Sequence, residues 1–307
     1  MKRICGDGAS PRTGGCFGWL WLEPQRVVRP LDQNIFDLRK SCSSIYSKHH
    51  GLVALMATNS TASPQRHLGA TMRRDAWWLE LLPVIALLGA FGLYATARAF
   101  EGTYYAWGPY ISPFYSPLID PHHRWWPFSP ALLILAFPLG FRVTCYYYRK
   151  AYYRAFFLDP PACAVGERGK HRYRGETAFP FILQNLHRYF LYAGFILLFF
   201  LWRDAFHAFF FDGRFGVGAG TLVLLLNVIL LTVYALSCHS LRHLAGGKLD
   251  CFSCTAFGRQ RYTAWRWLGV LNERHMLYAW ISLITVGLAD LYIRMVASGA
   301  ITDLRLL

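Results

Sequence analysis

The chain has 307 residues, of which 54% are hydrophobic and only 16% are charged. An average soluble domain is about 25% charged, so this composition argues against an ordinary soluble protein. The aromatic content of 17% argues against disorder over most of the length. The formal net charge of +15 is typical of a membrane protein whose cytoplasmic loops collect Lys and Arg.

Residues 1–71 differ from the rest of the chain, because they are rich in Arg, Ser, Gly and Pro and contain no long apolar run. We predict little fixed structure there, and interpret the region as an over-extended translation start or a targeting peptide. The membrane domain is predicted to occupy residues 72–307, since Met72 stands just before the first strong hydrophobic block.

Five apolar blocks are long enough to cross a bilayer, which takes about 20 mostly apolar residues in a helix. They run from Trp77 to Phe100, Pro130 to Tyr148, Phe181 to Trp202, Val217 to Ser237 and Met276 to Val296. Their continuous hydrophobicity lacks the period-two alternation of barrel strands. The predicted fold class is therefore all-α, a polytopic membrane protein with five transmembrane helices.

The distribution of Lys and Arg predicts the orientation. The loop from Arg149 to Arg174 holds seven of them, and the loop from Arg242 to Arg274 holds six. These loops are predicted to be cytoplasmic, which places the N-terminus in the cytoplasm and the C-terminus outside. The first outer loop, Tyr104 to Phe128, is rich in Trp, Tyr and Pro and is predicted to lie at the level of the lipid headgroups.

The densest group of metal-binding residue types follows the fourth predicted helix. His239 and His243 are four residues apart, which places both on one helix face, and Cys238 is adjacent. Cys251 and Cys254 form a CxxC motif. This mixture of His and Cys suits zinc or a Rieske-type two-iron cluster. We predict free thiols or metal ligands here rather than disulfides.

Four more residues on the same predicted membrane side belong with this group. Cys145 ends the second helix, Cys163 lies in a Pro-Pro-Ala-Cys turn, and His187 and His275 open the third and fifth helices. Histidines at three inner helix ends predict a redox or quinone site beneath a docked cytoplasmic partner. Haem b, held by two histidines from different helices, is the alternative cofactor.

Other functional classes find no support in the sequence. It contains no GxGxxG, P-loop, GxSxG or HExxH motif, so nucleotide binding, serine hydrolysis and zincin proteolysis are not predicted. No nucleic-acid-binding module is visible, and a nucleic-acid partner is not predicted.

Five motifs in chain order carry a resemblance to a known family. They are TCYYYRKAYYR at Thr144 to Arg154, PPAC at Pro160 to Cys163, LQNLHRYF at Leu183 to Phe190, SCHSLRH at Ser237 to His243 and LNERHMLYAW at Leu271 to Trp280. With these motifs, residues 75–307 resemble the single-chain membrane anchor of actinobacterial-type succinate dehydrogenases and fumarate reductases.

The resemblance implies a five-helix anchor in the bacterial cytoplasmic membrane. Such an anchor holds the flavoprotein and iron–sulfur subunits of succinate dehydrogenase and passes succinate's electrons to menaquinone. The chain would then be a subunit of the quinone-reducing enzyme that does not itself oxidise succinate. A higher oligomer of the whole complex is compatible with this reading.

The resemblance also implies an embedded Rieske-type [2Fe–2S] cluster. The predicted ligands are Cys238, His239, His243 and Cys163, with Cys145, Cys251 and Cys254 as alternatives. The quinone is predicted to bind at the inner ends of the third and fifth helices, to His187, His275, Arg188 and Tyr189. The rival hypothesis is a structural zinc site in the same Cys/His group, with no redox role.

Overall fold

A computed structural model describes residues 67–119, 129–167, 175, 177–247 and 249–307. The prediction for residues 1–66, and that for residues 120–128 of the first outer loop, lie outside the described residues. The described helices are α1 (Leu82–Glu101), α2 (Pro130–Val143), α3 (Tyr146–Tyr152), α4 (His187–His207), α5 (Ala219–Leu236), α6 (His239–Arg242), α7 (Gly258–Glu273) and α8 (His275–Ala297). Two short hairpins pair β1 (Ala106–Trp107) with β2 (Tyr110–Ile111) and β3 (Phe210–Phe211) with β4 (Arg214–Phe215).

Four helical segments are long and apolar enough to cross a membrane, which confirms four of the predicted spans. They are Trp77–Glu101, Phe181–His207, Ala219–Leu236 and His275–Ala297. The first includes a 3₁₀ turn at Trp77–Glu80 before α1, and the second includes a 3₁₀ turn at Phe181–Leu186 before α4. A bent pair, Pro130–Val143 with Tyr146–Phe157, raises the number to five if it is one span.

The prediction of one continuous helix from Pro130 to Tyr148 is wrong. α2 ends at Val143, and the chain continues into α3 at an angle of 84°. The break lies at Cys145, whose backbone is extended with ψ of 130°. Thr144 supports it, because its hydroxyl donates to the Gly140 carbonyl and satisfies an acceptor at the helix end. With 14 residues, α2 is about 21 Å long, shorter than the ~30 Å hydrocarbon core.

α2 and α4 approach each other closely at Gly140. A Cβ added there would lie 2.3 Å from Cε1 of Phe190, so the approach requires glycine at this position. The contact brings the C-terminal end of α2 beside the N-terminal end of α4. A buried core forms at this end of the bundle from Phe141, Cys145, Tyr148, Leu191, Tyr234, Cys238, Ala279 and Leu283. We call it the cysteine end.

The loop between α1 and α2 is folded into the opposite end of the bundle. Its residues Tyr110, Ser112, Phe114 and Tyr115 are all buried, so the described part of the loop packs onto this end of the bundle, and its position at headgroup level stays a prediction. A buried hydrogen bond holds the loop there, because Ser112 donates to the carboxylate of Asp290.

The described chain begins before Met72, in a segment that pairs with a distant loop. The Gly69 N–H donates to the Gly166 carbonyl at 3.0 Å, and the Gly166 N–H donates to the Ala70 carbonyl at 2.8 Å. The Thr71 hydroxyl donates to the carbonyl of Ala164 at 2.8 Å. Residues 69–71 thus pack against the loop that follows α3.

A chain that starts at Met72 should still insert and assemble with its partner subunits. Of the described contacts it would lose a few loop hydrogen bonds, each with a small net contribution of about 1 kcal/mol, and it would keep all the described membrane-spanning helices. The measurement is the yield of assembled complex after membrane extraction. A truncated chain that inserts but leaves the complex unassembled would show that the region before Met72 is required.

Candidate functional site

At the cysteine end, two helices finish in the same way, with a hydroxyl residue followed by an extended cysteine. α2 is followed by Thr144 and Cys145, and α5 is followed by Ser237 and Cys238. The ψ angles of the two cysteines are 130° and 133°, and a short helix begins directly after each of them. Both are free thiols, with 2% and 1% of the residue exposed. The sequence thus places two thiols at equivalent breaks.

His187, the first residue of α4, is buried and held by the first of these breaks. Its Nδ1 lies 3.0 Å from the hydroxyl of Thr144. That hydroxyl donates its only proton to the Gly140 carbonyl at 2.7 Å, so it must accept from the histidine. Nδ1 therefore carries the proton, and Nε2 presents a lone pair.

His275, the first residue of α8, is buried and held in the same way by the second break. Its Nδ1 lies 2.8 Å from the hydroxyl of Ser237, which donates to the Tyr234 carbonyl at 2.8 Å. The same reasoning places the proton on Nδ1 and the lone pair on Nε2. Both histidines are thus oriented by hydroxyl partners, in the way that second-shell hydrogen bonds orient metal-ligating histidines in proteins.

The two histidines meet the two cysteines crosswise. Nε2 of His187 lies 3.2 Å from Sγ of Cys238, and Nε2 of His275 lies 3.5 Å from Sγ of Cys145. Each histidine is therefore held by the hydroxyl of one break and contacts the cysteine of the other. Two thiols and two imidazole lone pairs make up the donor set that holds a Rieske-type two-iron cluster.

The protein environment of Cys238 favours the protonated thiol. Burial raises its pKa to about 11, although hydrogen bonds from the backbone N–H groups of Leu241 and Ser240 act to lower it. The sulfur therefore keeps its proton at neutral pH unless a metal displaces it, because metal ligation requires the thiolate.

A cavity of about 180 Å³ adjoins these groups. Its lining combines the site with residues of the neighbouring turns: Thr144, Cys145, Tyr146, Tyr147, Arg149, Gln184, His187, His239, Ser240 and His275. Within the described part of the chain, the buried Oε1 of Gln184 has no hydrogen-bond partner. Gln184 thus brings an unsatisfied acceptor to the wall of the cavity.

The structure does not bring together the four ligands predicted from the sequence. His239 is exposed and lines the cavity, whereas His243 lies in a π-helical turn, His243–Gly247, and does not line it. Neither histidine belongs to α5, because α5 ends at Leu236 and Cys238 is extended. The N–H of His243 still donates to the carbonyl of His239, so the two residues lie one helical turn apart, and their binding of a metal stays a prediction.

The prediction that the cysteines in these segments are free is wrong for three of them. Cys251 and Cys254 form a disulfide with each other, and Cys163 is also disulfide-bonded. These three sulfurs are not available as thiolates while the bonds persist. Among the described residues, no group of three or more His, Cys, Asp or Glu side chains is arranged to hold a single metal ion.

Of the predicted quinone contacts, only the two histidines line the cavity. Arg188 is partly buried and Tyr189 is 68% exposed, and neither belongs to the cavity lining. Sequence reasoning missed the pairing of His187 with Cys238 and of His275 with Cys145. The signal that could have found it is the repeated hydroxyl–cysteine dipeptide at the ends of the second and fourth predicted helices.

Comparison with known proteins identifies the family of the chain. The family model for the actinobacterial succinate dehydrogenase subunit SdhC matches residues 79–299. The chain belongs to this family. A solved structure, described as the Mycobacterium smegmatis Sdh1 complex in the apo form, contains a similar chain at 45% identity with a TM-score of 0.70. The match covers 81% of this chain and 97% of that chain. A search of the curated proteins found no match.

Membership of the SdhC family confirms the resemblance that the five motifs predicted. The chain is an SdhC-type subunit of a succinate dehydrogenase complex, embedded in a bacterial membrane and associated with the other subunits of that complex.

Proposed function

We propose that the chain is the electron-conducting anchor of a succinate:quinone oxidoreductase. It holds the flavoprotein and iron–sulfur subunits to the membrane and passes electrons from the iron–sulfur subunit to menaquinone. The observation that carries this proposal is the buried group of two thiols and two oriented histidines at one end of the bundle. Succinate is oxidised elsewhere in the complex, because this chain has no flavin-binding fingerprint.

The proposed ligands of a [2Fe–2S] cluster are Cys145, Cys238, His187 and His275. This set replaces the predicted His239, His243 and Cys163. It fits the cofactor because all four groups are buried, both imidazoles present a lone pair, and both sulfurs are free. When bound, the cluster supplies a one-electron carrier between the iron–sulfur subunit and the quinone. The chain's own residues hold, orient and shield it from water.

The arrangement favours a two-iron cluster over the alternatives. A structural zinc ion needs four ligands around one point, whereas among the described residues no group of three or more His, Cys, Asp or Glu side chains is arranged to hold one metal ion. A haem between His187 and His275 would need both Nε2 atoms to face the iron, but each faces a cysteine sulfur instead. Two thiols that each contact one of the two histidines are explained by a cluster and have no role in haem ligation by histidine.

The cavity beside the four proposed ligands is the proposed site of the menaquinone headgroup. Reduction of the quinone creates two hydroxyl groups, and the buried Oε1 of Gln184 can accept a hydrogen bond from one of them. His239 lines the cavity from its exposed side, where it can deliver a proton from water. These two residues take the place of Arg188 and Tyr189 as proposed quinone contacts.

The cysteine end is proposed to face the cytoplasm. The turns there carry Arg149, Lys150 and Arg154 after α2 and Arg242 and Arg274 around α6 and α7. An excess of Lys and Arg is characteristic of cytoplasmic loops. With five spans, the C-terminus lies on the opposite side of the membrane, outside the cell. The redox site then lies where a cytoplasmic iron–sulfur subunit docks.

Metal analysis of the complex tests the proposal. The full chain, purified anaerobically with its partner subunits, is compared with the double variant His187→Ala/His275→Ala. We expect the wild-type complex to hold two more iron atoms per chain than the variant and the same amount of zinc. A difference in zinc instead of iron would establish the structural zinc site, and a difference of one iron with a haem absorption spectrum would establish haem.

Replacing His239 or His243 by alanine should leave the iron content of the complex unchanged. For His239→Ala we expect a loss of about tenfold in quinone reduction, since one lost hydrogen bond to a reacting group corresponds to about 1.4 kcal/mol. His243 does not line the cavity, and its variant serves as the matched control with unchanged quinone reduction. Loss of iron in both variants would return the ligand set to the one predicted from the sequence.

A further inference from the structure

A disulfide joins Cys251 and Cys254 in the loop before α7, and the proposed redox site does not use it. Cys254 is exposed, whereas Cys251 is partly buried, with its Sγ 3.2 Å from the hydroxyl of Ser253. The two free cysteines of the described chain, Cys145 and Cys238, are both buried. A thiol in solution can therefore approach Cys254 but not the two buried cysteines.

The bond closes a very short loop, because the two cysteines are three residues apart in the chain. A disulfide stabilises a fold largely by restricting the unfolded chain, and this effect grows with the length of the loop that it closes. A loop this short gives the effect little to act on. Stabilisation of the fold is therefore a weak explanation for the bond.

Contacts that do not involve sulfur hold the loop in place. The hydroxyl of Thr255 donates to the Phe252 carbonyl at 3.1 Å, and the Phe252 ring packs on Tyr262 and Trp265 with centroid distances of 5.3 and 6.2 Å. A Cβ added at Gly258 would lie 1.6 Å from the Phe252 carbonyl oxygen, so the close approach there requires glycine. We expect the loop to keep its position when the disulfide opens.

We propose that the Cys251–Cys254 pair is a thiol–disulfide exchange site, which accepts two electrons from a dithiol in the cytoplasm. One thiolate of the dithiol bonds to Sγ of Cys254, the disulfide breaks, and Cys251 leaves as a thiolate and takes up a proton. The second thiolate of the reductant then displaces Cys254, which takes up a proton in turn. The pair ends as two thiols, and the dithiol ends as a disulfide.

The position of the loop favours exchange over a permanent bond. The loop lies between α6 and α7, on the side of the membrane that is proposed above to face the cytoplasm, and the inference rests on that orientation. Disulfides in the cytoplasm are rare and are usually transient, catalytic or redox-sensing. Neither Cys251 nor Cys254 lines the cavity at the cysteine end, so the exchange is separate from quinone reduction.

The first test is reduction of the assembled complex by dithiothreitol under native conditions. Exposed thiols are then alkylated with N-ethylmaleimide and located by mass spectrometry. We expect both Cys251 and Cys254 to be alkylated, while Cys145 and Cys238 stay unlabelled. A pair that is reduced only after denaturation would overturn the proposal and make the bond structural. Equal labelling of the buried cysteines would mean that the reductant acts on an opened chain, which would also overturn it.

Two single variants identify the sulfur that is attacked. Cys251→Ser leaves Cys254 as a free thiol, and Cys254→Ser, its matched control, leaves Cys251. With oxidised glutathione, we expect Cys251→Ser to form the mixed disulfide at least about tenfold faster, because the reaction depends on access to the sulfur. Equal rates, or a faster reaction at Cys251, would overturn the role of Cys254.

Sealed membrane vesicles test the side of the membrane from which the pair is reduced. The reductant is 2-mercaptoethanesulfonate, whose charged sulfonate keeps it from crossing the bilayer. We expect it to reduce the pair in inside-out vesicles and to leave it oxidised in right-side-out vesicles. The reverse result would overturn exchange with a cytoplasmic dithiol and the proposed orientation, while the proposed [2Fe–2S] ligands would stand.

Discussion

Replacing Cys145 by alanine should stop electron transfer to quinone and leave succinate oxidation with a soluble artificial acceptor intact. The substitution removes one of the four proposed ligands from a site where no other described free thiol is available apart from Cys238. In metal sites, loss of a group that only orients a ligand lowers metal affinity or activity by about 10- to 100-fold. Cys145 is a proposed ligand itself, so we expect the rate of quinone reduction to fall by at least about 100-fold. The measurement compares both activities in purified complex.

The matched control for this prediction is the double variant Cys251→Ala/Cys254→Ala. It removes two cysteines that are bonded to each other and lie on the same predicted side of the membrane as Cys145. This variant should retain both activities. Equal loss of both activities in Cys145→Ala would mean that the substitution prevents assembly. Full quinone reduction in an assembled Cys145→Ala complex would remove this residue from the ligand set.

The membrane-spanning part of the fold was predictable from the sequence because the signal is local. A run of about 20 apolar residues needs only its own composition to be recognised, and four such helices lie where they were predicted. The break after Val143 was not predictable in the same way. Pro138 lies inside α2 without ending it, and the break depends on the hydrogen bonds of Thr144, which link it to His187.

The candidate site shows the same division between local and tertiary information. The sequence identified Cys145, Cys238, His187 and His275 as residues of interest, since polar groups at membrane helix ends are costly to keep. It could not pair them, because His187 and Cys238 are 51 residues apart and His275 and Cys145 are 130 residues apart. The i,i+4 spacing of His239 and His243 was the stronger local signal, because it can be recognised within one segment of the sequence.

The opposite end of the bundle holds a buried ion pair that the sequence analysis did not identify. Asp290 and Arg294 are 0% and 4% exposed, with Nε of Arg294 2.9 Å from Oδ2 of Asp290. Tyr94 donates to the same carboxylate oxygen at 2.6 Å, and Ser112 of the folded loop donates to the other. These contacts join α1, α8 and the loop, so the pair fixes the position of the loop within the bundle.

Replacing Asp290 by alanine should destabilise the complex strongly. Among the described residues, the guanidinium of Arg294 would remain buried with only the partly exposed Glu101, at 3.1 Å, as an ionic partner. Removing one member of a buried pair costs about 3–5 kcal/mol, because it leaves an uncompensated charge. The measurement is the rate of thermal inactivation of the purified complex at fixed temperature, since large membrane complexes unfold irreversibly.

Two further variants separate the buried charge from a general effect of losing a carboxylate. Asp75→Asn removes one partner of the solvent-exposed pair with Arg73 and should leave the inactivation rate unchanged, because surface pairs contribute little. The double variant Asp290→Leu/Arg294→Met replaces the buried pair by apolar side chains of similar size and should recover most of the lost stability. If Asp290→Ala inactivates at the wild-type rate, the pair does not hold the loop, and the apolar contacts of Phe114 and Tyr115 with α1 are sufficient to hold it.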